Sequence, residues 1–120
     1  MSTSTESVMR VYLSMGEAVI VSTQQTRNVH PKWNENHHFL VTNPETETLL
    51  LRIKDEKSSE TLGSCEIRLV ELLNETQLVL DRGFELVGLQ SANTAKIYMR
   101  LSLKVEYFLN CCLSVLLCSD

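Results

Sequence analysis

The sequence predicts an all-β fold, an antiparallel sandwich of about seven strands with one short helix. Three segments carry that prediction. Leu49, Leu51 and Ile53 alternate with Leu50, Arg52 and Lys54. Cys65, Ile67 and Leu69 alternate with Ser64, Glu66 and Arg68. Ile97, Met99, Leu101, Leu103 and Val105 alternate with Lys96, Tyr98, Arg100, Ser102 and Lys104. A period of two sends successive side chains to opposite faces, so each segment buries one face and wets the other. Strands this close together, with turn residues between them, favour a sandwich over βαβ units.

The remaining elements follow in chain order. Residues 1–7 are Ser/Thr-rich, lack an apolar stretch and read as a disordered leader rather than a secretory signal. Val11 and Leu13 begin strand-like sequence that turns at Gly16, and Val19-Ile20-Val21 is a β-branched run. Phe39-Leu40-Val41 is the next strand and ends at Asn43-Pro44, a turn-forming pair. Leu69, Leu72 and Leu73 have helical spacing, enough for about one or two turns near Leu69–Asn74. Residues 107–120 form an apolar, Cys-rich tail, too short for a transmembrane helix of roughly 20 residues. It reads as an added strand or helix, a truncated longer segment, an interfacial anchor or a variant end.

Composition narrows function. The 120 residues are 43% hydrophobic and 22% charged, as expected of one globular domain. A net charge of −4 argues against nucleic acid as the main partner, because phosphate binding needs clustered Lys and Arg. Cys65, Cys111, Cys112 and Cys118 show no metal-ligand spacing, and their distribution favours a reducing compartment over a disulfide framework.

Several motifs occur in an order that resembles the C2-domain family. Pro31-Lys32-Trp33-Asn34-Glu35 looks like the family's Asn-Pro-x-Trp-Asn-Glu signature, with His30 in place of Asn. The strand Phe39-Leu40-Val41 follows, then Leu51-Arg52-Ile53-Lys54-Asp55, a loop closing on Leu62-Gly63, Phe84-Glu85-Leu86 and the long strand Ile97–Val105. Within the family the chain is similar to the second C2 domain of extended synaptotagmins, on the loop Asp55–Gly63, the Asn43-Pro44 turn, Val70-Glu71-Leu72-Leu73 and Ile97–Val105. The resemblance implies a C2 domain over residues 8–106 that lacks its usual first strand, hence an N-terminally incomplete fragment. The tail is then the surplus segment able to cover the gap, either packed back on the sandwich or projecting as a helix.

The resemblance also implies where calcium would bind, and there the residues depart from the family pattern. Asp55 holds one ligand position, but Lys57 stands where a second carboxylate belongs, and Glu60 is a longer substitute for Asp. Ca²⁺ takes six to eight oxygen ligands, mostly carboxylate, and an ammonium group repels it. No metal or other cofactor is therefore expected. Calcium-independent members of the family use basic faces for phosphoinositides, which implicates Arg27, Lys32, Arg52 and Lys54, extended by Arg100 and Lys104 if both strands share a sheet side.

Other constellations carry less. His37 and His38 are adjacent, so on a strand they face opposite ways and cannot share an ion; His37 stands where the family places an inward Phe. By its place in the family signature, the resemblance implies that Trp33 is a core anchor. Cys65 lies on the apolar face of its strand, where an inert thiol is the common case. No nucleophile-elbow or P-loop pattern is present, so an enzyme and a small-molecule substrate are not expected. The resemblance leads to a calcium-independent module that binds membrane phospholipid weakly or packs on a neighbouring C2 domain. The full-length protein would act at the cytoplasmic face of endoplasmic reticulum–plasma membrane contact sites, in tethering and lipid transport. A protein-binding C2 domain without lipid affinity is the alternative.

Overall fold

The computed structural model of the chain describes residues 9–21, 35–56, 60–88, 96–105 and 111–118. These form eight strands: β1 (Met9–Met15), β2 (Ala18–Val21), β3 (Glu35–Val41), β4 (Thr48–Asp55), β5 (Thr61–Arg68), β6 (Val79–Glu85), β7 (Lys96–Val105) and β8 (Cys111–Cys118). A short α-helix, α1 (Val70–Leu73), and a single 3-10 turn, Thr76–Leu78, lie between β5 and β6.

Two four-stranded sheets result, ordered β2-β1-β4-β5 and β3-β8-β7-β6, and every pairing between the named strands is antiparallel. We refer to them as the first and second sheets. The alternation read from the sequence fixes their inner faces. Val11, Leu13, Leu49, Leu51, Ile53, Cys65 and Ile67 are buried from the first sheet. Phe39, Val41, Leu80, Phe84, Ile97, Met99, Leu101 and Leu103 are buried from the second. Leu69 and Leu72 close one side, so α1 exists less by propensity than because it buries these side chains in the shared core.

The eighth strand comes from the apolar tail. Cys111, Leu113, Val115 and Leu117 point inward and are buried. β8 lies between β3 and β7, with Leu113 opposite Phe39 on one side and Leu103 on the other. A strand with neighbours on both flanks satisfies its backbone groups without water, which suits a nearly all-apolar sequence. β7 is thereby an interior strand, paired with β6 on one side and β8 on the other. Among the described residues no helix is long and apolar enough to cross a membrane.

Turns act where the sequence marks them. Gly16, at φ 61°, opens the two-residue connection between Met15 and Ala18, as a type II′ hairpin requires. At Asn43-Pro44 the Asn43 side chain accepts the Glu45 amide at 3.1 Å, and the Glu47 carboxylate accepts the amides of Thr42 and Asn43 at 3.1 and 3.2 Å. The edges of the two sheets are tied where Ser64 and Val87 exchange backbone hydrogen bonds of 2.9 and 2.8 Å.

Candidate functional site

The outer face of the first sheet gathers the cations. On β1 the polar phase is Arg10, Tyr12 and Ser14; on β4 it is Leu50, Arg52 and Lys54. Register places Arg10 directly opposite Lys54, and Tyr12 opposite Arg52. Like charges facing each other across a ladder destabilise it, so this row is not what strand pairing alone would favour. Two contacts offset the repulsion. The Lys54 ammonium sits 4.9 Å from the centroid of the Tyr12 ring. Glu56, just past β4, approaches Arg10 with Oε1 at 3.4 Å, and its Oε2 accepts the Tyr12 hydroxyl at 2.9 Å. That hydrogen bond raises the Tyr12 phenol above its ordinary 10.0, because ionisation would place a second anion against the carboxylate.

Arg52 has no carboxylate partner among the described residues. Its Nε, like that of Arg10, lies against the sheet without a hydrogen-bond acceptor. A guanidinium with open donors, as at Arg52, is suited to a multi-oxygen anion such as a phosphate.

The basic residues of the alternating strands fall on two different faces. Arg52 and Lys54 face outward from the first sheet, whereas Arg100 and Lys104 face outward from the second. The condition for joining them, a shared sheet side, is not met: period two tells out from in, but each layer of a sandwich has its own outside. Arg27, Lys32 and Lys57 lie outside the described residues, as do His30 and Trp33 of the signature region. Local pattern alone does not single out Arg10 and Tyr12. Their outward phase is readable from Val11 and Leu13, but their placement beside Arg52 and Lys54 depends on a register between segments some forty residues apart.

At the end of β4 the calcium-loop positions Asp55 and Glu60 are joined through the backbone, the Asp55 amide donating to the Glu60 carbonyl at 2.9 Å. Asp55 is half-buried and Glu60 exposed. Elsewhere His37 and His38 face opposite ways. His37 points inward, half-buried, with Nε2 2.9 Å from Glu35 Oε1. Cys65 is buried on the inner face, and burial raises its thiol above the ordinary 9.0, countered in part by the charge of Arg82.

Residues 1–83 match the family model described as C2 domain. This chain belongs to the C2-domain family. It is 30% identical over 89 residues to human extended synaptotagmin-1, which covers 71% of the chain and 8% of that protein. It is 36% identical over 93 residues to the rat protein of that name, covering 78% and 8%, and 30% identical over 95 residues to mouse extended synaptotagmin-2, covering 79% and 11%. The chain thus spans about a tenth of the length of these relatives. Among solved structures, the tandem C2 domains of extended synaptotagmin 2 superpose with a TM-score of 0.70 at 21% identity, over 97% of this chain and 36% of theirs. The calcium-bound form of those domains gives 0.72 at 21% identity, over 98% and 39%. C2 domains are non-catalytic modules that bind membrane phospholipids or proteins, and the two-sheet order found here is the frame on which this one presents its basic row.

Proposed function

We propose that this C2 domain is a calcium-independent membrane-binding module of an extended-synaptotagmin-like protein, working at the cytoplasmic face of endoplasmic reticulum–plasma membrane contacts in tethering and lipid transport. One observation carries the reading: Arg10, Arg52 and Lys54 stand side by side on one outer sheet face, with Arg52 uncompensated by any described carboxylate. Arg27 and Lys32, from the family signature region, are proposed to extend this cationic surface. Calcium independence rests on Lys57 in the ligand loop, where a cation replaces a carboxylate. The net charge of −4 keeps the attraction weak and local to that face.

Each basic residue near an anionic bilayer contributes about 1 kcal/mol. Reversing two of them, Arg52→Glu with Lys54→Glu, should abolish co-sedimentation with phosphatidylcholine vesicles containing phosphoinositide, in EDTA as in calcium. Equal binding by wild type and the double variant would refute the reading.

A second reading has its own support. The outer face of the second sheet exposes Leu40 at 76% towards one end of β8 and Tyr98 at 37% towards the other, with half-buried Leu116 one pair along from Tyr98. Such a surface suits packing against a neighbouring C2 domain. Absence of vesicle binding together with association to an added C2 domain, lost in Leu40→Asp, would favour it.

A further inference from the structure

We propose that Glu56 is a built-in competitor for the lipid phosphate, a carboxylate latch lying across the basic row that a membrane must displace to bind. The inference rests on the membrane reading above and adds its regulation. The carboxylate makes two contacts at once. Oε1 lies 3.4 Å from Nη1 of Arg10, and Oε2 takes the Tyr12 hydroxyl at 2.9 Å. Tyr12 is also the ring against which Lys54 rests, with the ammonium 4.9 Å from its centroid. One side chain therefore holds Arg10 directly and, through Tyr12, the platform of Lys54. These are the same groups that a headgroup phosphate would engage.

The latch is weak enough to open. The Arg10 and Glu56 side chains are 28% and 31% exposed, so water and salt screen their attraction. A bilayer presents many phosphates at once, and the latch offers one carboxylate. Glu56 should therefore set a threshold: sparse anionic lipid fails to displace it, dense anionic lipid succeeds. Like charges facing each other at Arg10 and Lys54 give the carboxylate a structural reason to sit there in the unbound state.

The test uses the full chain and four proteins: wild type, Glu56→Gln, Glu85→Gln, and Glu56→Gln combined with Arg52→Glu and Lys54→Glu. Glu85 is exposed on β6 of the other sheet, so its neutralisation matches the net-charge change without touching the row. Binding is measured to phosphatidylcholine vesicles doped with increasing phosphatidylserine or phosphatidylinositol bisphosphate. Glu56→Gln should bind roughly fivefold tighter than wild type, the effect of freeing one cation near the surface, and should half-saturate at lower anionic content. Glu85→Gln should stay within about twofold of wild type, since a distant exposed charge is screened. The combined variant should not bind.

A lipid-free readout accompanies it. Ultraviolet titration of tyrosine should show Tyr12 moving back toward 10.0 in Glu56→Gln, because its hydrogen-bond acceptor has lost its charge. If Glu56→Gln binds no better than Glu85→Gln while the row variant is still dead, the latch is overturned and the basic face stands. If the row variant binds like wild type, the face is overturned and the latch with it. An unmoved Tyr12 titration would show that the carboxylate does not sit on the row in solution.

Discussion

Leu113 is the most direct probe of whether β8 belongs to the core. It is fully buried at the centre of β8, between Phe39 on β3 and Leu103 on β7. Truncating it to Ala removes the burial of the lost carbons and leaves a cavity between two strands that cannot close without breaking ladders. A buried Leu→Ala change costs about 2–5 kcal/mol. Leu116, on the same strand three residues on, points outward opposite Arg100 and Asn36 and is only half-buried. Leu116→Ala should cost under about 1 kcal/mol, as is usual away from the core. For a chain of this length the Leu113→Ala cost corresponds to a Tm lower by about 10 °C or more. Deleting the whole strand is harsher. Leu113, Val115 and Leu117 together bury about 5–9 kcal/mol of apolar side chain, comparable to the entire stability of a small domain. A chain ending at residue 110 should fail to melt cooperatively in urea, whereas Leu113→Ala still should. Equal effects of Leu113→Ala and Leu116→Ala, or a cooperative, undiminished 1–110 chain, would refute the placement of β8 in the sheet.

Other measurements reach the remaining features. Calorimetry should detect no micromolar Ca²⁺ binding, and Lys57→Asp should strengthen whatever millimolar affinity exists, because it converts a repelling cation into an oxygen ligand. Cys65 should resist alkylation at neutral pH while half-buried Cys112 reacts first, since burial both hides the Cys65 thiol and keeps it protonated. The folded chain holds the Cys65 proton above the ordinary 9.0, so that group's contribution to stability is complete at lower pH and is lost as pH rises through the folded-state value; Cys65→Ala should flatten the decline in urea stability above pH 9.0 relative to wild type. Gly16→Ala should destabilise by about 1 kcal/mol, because its φ of 61° suits glycine and strains an L side chain.

The strands that the sequence announced are those with one wet face. β4, β5 and β7 alternate because their outer phases carry Arg, Lys, Glu and Ser into solvent. β8 hid for the opposite reason. It is flanked on both sides, its inner phase is Leu and Val, and its outer phase is Cys112, Ser114 and Leu116, so polarity never alternates and the segment reads equally as helix, anchor or strand. β3 is the converse disturbance. Its inward phase begins with Glu35 and His37 before reaching Phe39 and Val41, which weakens the alternation at its start. The hydrogen-bonded Glu35 and His37 fit there because β3 is an edge strand whose beginning is only half-covered, and an inward carboxylate also discourages another chain from adding to that edge.

The basic row was partly legible for a related reason. Arg52 and Lys54 announce an outward phase through their own neighbours, and no more than two residues of context are needed. That Arg10 joins them, while Arg100 and Lys104 do not, depends on which sheet each strand enters and in what register. Those are long-range outcomes of core packing, set by how the buried faces of the two sheets join in one core. The same holds for Glu56. In the sequence it is one acid among several in a loop, and it acquires a role because β1 returns Arg10 and Tyr12 to its side. A row of cations drawn from two strands is a property of the register, and the carboxylate that contacts that row is a property of the register as well. Local pattern therefore finds the cations on each strand, and the fold decides which of them stand together and which acid lies against them.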